Sequence, residues 1–116
     1  MPAKTDLSFA ELAAELPAGA VTYAAGTSDI LISVKAVTGD TYAALTDEGV
    51  AEALFKIRAA ATDAQETVNA AQADGEKLAA FPDFSYGTPV DGKITVSQVS
   101  TFVLPLATST IKGPTV

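Results

Sequence analysis

Apolar positions first recur at helical spacing at Phe9, Leu12, Ala13 and Leu16, which stand at i, i+3, i+4 and i+7 and form one stripe. Just before them, Ser8-Phe9-Ala10-Glu11 has the pattern of a capping box. The serine hydroxyl can accept from a first-turn amide while the glutamate reaches back. The pattern predicts a short helix to Leu16, ended by Pro17. The period then changes to β character. Val21 to Ala25 and Ile30 to Val37, separated by Gly26-Thr27-Ser28-Asp29, read as a hairpin. In its second run Ile30, Ile32, Val34 and Ala36 share one face and Ser33 and Lys35 the other, which predicts a strand covered on one side.

Thr38-Gly39-Asp40 closes that run, and Thr46, followed by Asp47 and Glu48, opens a long helix with a capping hydroxyl and carboxylates suited to the helix dipole. Its apolar positions are Val50, Leu54, Ile57, Ala61, Ala64, Val68, Ala71 and, past Gly75, Leu78, an unbroken 4,3 spacing. A coiled coil would place charges beside such a seam, whereas here the flanks are mostly small. The expectation is a helix lying across its own sheet, with Leu54 and Ile57 buried. A second hairpin is predicted from Phe84 to Thr88 and from Lys93 to Leu104, around Pro89-Val90-Asp91-Gly92. Pro89 cannot donate to a ladder and so belongs at an edge. The run from Lys93 is longer than a typical strand and should bend or leave the sheet. Together these elements predict a single α+β domain over 1–116, with an antiparallel sheet of about four strands packed on the long helix and a short N-terminal helix. Residues 1–7 form an N-terminal segment and residues 103–116 a C-terminal arm.

Composition narrows the chemistry more than the fold. The 116 residues are 48% apolar, sufficient for an independent core. They include no Cys and no His, which excludes disulfides, Cys/His zinc sites, cysteine nucleophiles and every Ser-His or Cys-His arrangement. Paired carboxylates remain, with Asp29, Asp40, Asp83 and Asp91 as candidates, yet each adjoins a turn where Asp belongs for backbone reasons. Ser33 and Lys35 have the residue types of a Ser-Lys dyad without its spacing. No phosphate loop, dinucleotide fingerprint or EF-hand spacing occurs. The sequence therefore predicts no catalytic residue, no cofactor and no metal.

All 14 acidic side chains and five of the seven basic ones lie in residues 1–91, which carry a net −9, while residues 92–116 hold only Lys93 and Lys112, a net +2. An acidic body repels phosphate backbones, and Lys56 with Arg58 is too small a cluster for a nucleic-acid or membrane footprint. No secretory pattern follows Lys4 and no membrane-length apolar run occurs, so a cytoplasmic or assembled-particle location is expected.

Two features point to a partner. Phe55 lies about 100° round the helix from Leu54 and forms, with Ala51 and Ala59, a second apolar stripe that needs a cover, either the N-terminal helix or another chain. The tail from Val99, including Val103, Leu104, Leu106 and Ile111, is β-rich and free of carboxylates. Left free it would aggregate, so it must pair in its own sheet or be donated to a neighbour. In its small size, its lack of Cys and His, its Ala and Thr content and its β-rich arm, the chain resembles accessory proteins of phage particles and related assemblies. The function expected is a non-enzymatic structural or protein-interaction subunit that self-associates as a homo-oligomer. The alternative is a small-ligand-binding or carboxylate-dependent enzymatic domain using Tyr23, Tyr42 and Tyr86.

Overall fold

The computed structural model describes residues 4–104. At the first helix, α1 (Phe9–Ala14), the capping box forms in full: Glu11 N donates to Ser8 Oγ at 3.1 Å, and Ser8 N donates to Glu11 Oε1 at 2.8 Å. Lys4 Nζ stands 3.1 Å from the same carboxylate oxygen. The Ser8 amide, helped by Lys4, holds the Glu11 carboxyl below the usual carboxylate range.

The hairpin follows as β1 (Val21–Ala24) and β2 (Asp29–Ile32), antiparallel, with Val21 opposite Ile32 and Tyr23 opposite Ile30. The second run does not continue as a strand to Val37. It turns into a short helix, α2 (Val34–Thr38), because the Ser33 hydroxyl accepts from Ala36 N at 3.2 Å and Gly39 supplies a left-handed C-cap at φ 81°. Val34 and Ala36 are thus helical residues. Thr38 then bonds Tyr42 Oη at 2.9 Å and receives Lys56 Nζ on its carbonyl at 3.3 Å, which fastens α2 to the long helix.

That helix, α3 (Val50–Asn69), begins after the Thr46 signal, at the first residue of the apolar spacing, and ends earlier than that spacing predicts. Thr46 caps nothing. Asp47 instead accepts from the amides of Ala43 and Ala44, and the helix opens at Gly49, whose φ of 150° suits glycine and whose missing Cβ leaves room for the Tyr42 ring. Its packing line also differs. The buried apolar positions are Ala53, Ala60, Ala61 and Ala64, whereas Leu54, expected in the core, is 56% exposed and Ile57 only half-buried. Over its first half the helix is rotated toward Ala53. Its buried apolar side chains are all alanine, and α1 and α2 are its helical neighbours.

Beyond α3 the chain returns along the helix, held by two side-chain amides. Asn69 donates to Leu78 O at 2.8 Å and accepts from Leu78 N at 2.7 Å. One turn earlier, buried Gln65 donates to Phe81 O at 2.9 Å and accepts from Phe81 N at 3.0 Å. Each amide gives one backbone residue both the donor and the acceptor that a neighbouring strand would supply. Residues 78–81 therefore run antiparallel to α3 without joining a sheet.

The second hairpin is built on the expected turn. Asp91 at φ 53° and Gly92 at φ 73° are the two left-handed residues of a tight loop closed by reciprocal Val90 and Lys93 bonds. Its strands are short, β3 (Ser85–Tyr86) and β4 (Val96–Ser97), and the run from Lys93 to Leu104 leaves the ladder after Ser97. The fold is α+β, as predicted, with four antiparallel strands among the described residues. They form two separate two-stranded sheets instead of one, β1 with β2 and β3 with β4.

Removing either amide clasp leaves the amide and carbonyl of Leu78 or Phe81 without partners, so Gln65→Ala and Asn69→Ala should each lower stability by about 1–3 kcal/mol. Urea denaturation measures this. A loss below about 0.5 kcal/mol, the level of an ordinary surface change, would show that the clasps carry little.

For Glu11 the folded pKa lies below the unfolded one, so its contribution is present above the unfolded value and disappears as pH falls through the folded value. The α1 capping box should open over that acidic window. NMR titration of the Glu11 side chain should show the lowered midpoint, and Ser8→Ala, which leaves the Ser8 amide in place but frees the helix end, should move it upward.

Candidate interaction surface

The residues singled out by sequence fall into three places. Phe55 is half-buried and stacks edge-on against Phe84, with ring centroids 5.1 Å apart. Phe84, the residue just before β3, therefore covers part of its ring, a contact that the sequence reading did not name. Of its stripe companions, Ala51 is exposed and Ala59 half-buried. Val103 is 93% exposed and Leu104 half so, while Leu106 and Ile111 lie outside the described residues.

Up to Phe102 the chain approaching Val103 is tied to α3. Gln98 Nε2 donates to Thr62 Oγ1 and to Pro82 O, each at 2.7 Å, and Arg58 donates to Gln98 Oε1 at 3.2 Å. The Arg58 guanidinium also lies 5.9 Å from the centre of the Phe102 ring, which is 5.7 Å from that of Phe81. An open groove of about 820 Å³ runs beside this cluster, with Leu78, Phe81, Phe102 and Leu104 on its walls and Lys4 and Lys77 at its rim.

A further exposed apolar surface was not among the sequence candidates. Residues directly opposite in an antiparallel pair share a face, so Val21, Tyr23, Ile30 and Ile32 make one apolar face of the first hairpin and Thr22, Leu31, Ala24 and Asp29 the other. Tyr23 is 65% exposed, Leu31 50%, Ile32 40% and Ile30 36%. Among the described residues no third strand extends this sheet at either edge. The alternation in β2 signalled a one-sided face; what the sequence did not signal is that α3 leaves it uncovered.

The candidate polar groups are dispersed. Asp29 opens β2 beside the first hairpin's turn, Asp40 follows α2, Asp83 precedes β3 and Asp91 occupies the second turn. Ser33 is occupied as a helix cap. Tyr23 and Tyr86 are exposed on different sheets, and Tyr42 is engaged with Thr38. Among the described residues no group of three or more carboxylates could hold a metal, and no helix is long and apolar enough to cross a membrane. Compared with protein families, curated proteins and solved structures, the chain matches none.

Because Phe55 and Phe84 cover each other, a double-mutant cycle should give a coupling of about 0.5–1.5 kcal/mol between Phe55→Ala and Phe84→Ala. Additive losses by chemical denaturation would place Phe55 back on the outer surface.

Proposed function

We propose that this chain is a structural, self-associating protein-interaction subunit, of the kind that builds or decorates an assembled particle. One observation carries the reading: the first hairpin is a two-stranded sheet whose large apolar side chains stay exposed. An isolated hairpin of this size is marginal in water and needs a third strand or a packed face. The buried apolar core among the described residues is five alanines and Val37, and no large side chain in it is fully buried. Large apolar surface is thus left for contacts with other chains, which is how subunits of obligate assemblies divide their hydrophobic area. The placement of Asp29, Asp40, Asp83 and Asp91 at four different turns and element ends favours this role over carboxylate chemistry.

Light scattering at several concentrations tests the reading. Mass should rise above that of one chain with concentration. Ile30→Lys with Ile32→Lys should return it to one chain while the helical circular dichroism persists. A monomer at every concentration would overturn the proposal.

A further inference from the structure

We infer that the outer edge of β2 receives, as a third antiparallel strand, the 106–112 segment of a second copy of this chain, an inference that rests on the self-association reading above. All four β2 residues are exposed, whereas β1 is half-buried at Val21 and Ala24. Ser33 N donates to Ala20 O at 2.8 Å, which fixes the ladder phase so that Leu31 and Asp29 bond toward β1 while Ile30 and Ile32 direct their amides and carbonyls outward. The outer edge is a template for a strand.

The occupant follows from charge and pattern. Asp29 makes no ion pair among the described residues, and β1 carries no charge at all, so β2 is the edge that attracts a cation. Leu106-Ala107-Thr108-Ser109-Thr110-Ile111-Lys112 is rich in β-branched residues, lacks carboxylates, and is bounded by Pro105 and by Gly113-Pro114, which stop a strand. Placing Lys112 opposite Asp29 in the antiparallel sense sets Ile111 opposite Ile30, Thr110 opposite Leu31 and Ser109 opposite Ile32. Ile111 then extends the apolar face of Val21, Tyr23, Ile30 and Ile32. The parallel alternative would set Gly113 against Ile30 and Pro114 against Leu31, where proline has no amide to donate.

The chain has no cysteine, which makes the register directly testable. Full-length Leu31→Cys protein is mixed with a size-tagged Thr110→Cys protein, oxidised, and run on a non-reducing gel. These positions form the closely approaching pair of the register. The expected product is a mixed disulfide in clear excess over the dimers either variant forms alone. In parallel, Lys112→Asp should raise the concentration at half-association about three- to tenfold, and adding Asp29→Lys in the same chain should restore it. Persistent association with neither the mixed disulfide nor the charge rescue overturns this site while leaving self-association standing. A double variant that closes Leu31→Cys to Thr110→Cys within one chain at monomeric dilution also overturns it. A chain monomeric throughout overturns both readings.

Discussion

The second half of the structure depends on two side-chain amides of α3 holding the backbone of the segment that follows it. Between Asn69 and Phe84 no regular element forms, so the backbone donors and acceptors there need partners of another kind. Asn69 and Gln65, one turn apart, meet Leu78 and Phe81 in the way a strand would. With Phe81 fixed, the carbonyl of Pro82 is placed for Gln98, and Phe84 is placed for Phe55. Gln98 in turn receives Arg58 and ties the chain beyond β4 back to the same helix.

The buried face of the same helix carries no bulk: its apolar positions are Ala53, Ala60, Ala61 and Ala64. Alanine lets neighbouring backbone come near at little loss of helix propensity, but each buried alanine removes little apolar area from water. The consequence is a thin core, with the larger residues of the first hairpin and Leu54 left at the surface. The alanine face of α3 thus leaves large apolar side chains exposed elsewhere, and the function proposed for the hairpin rests on that exposure.

What sequence alone determined here is local. The Ser8 and Glu11 box, the Asp91-Gly92 turn and the alternation that made the first hairpin each encode a geometry within a few residues, through hydrogen bonds and φ preferences that need no distant partner. The α+β class followed from their order. Tertiary structure decided which side of α3 turned inward, because a 4,3 apolar spacing names a stripe but alanines a residue away can pack more closely than leucine. The Ser33 cap that opens α2 and cuts the β2 run short is local as well, a competition between strand and helix that the apolar alternation masked. Tertiary structure also decided the cover of Phe55 and the separation of the two sheets. Those outcomes depend on residues far apart in the chain, Gln65 with Phe81 and Phe55 with Phe84, whose pairing exists only once the chain has folded back on itself.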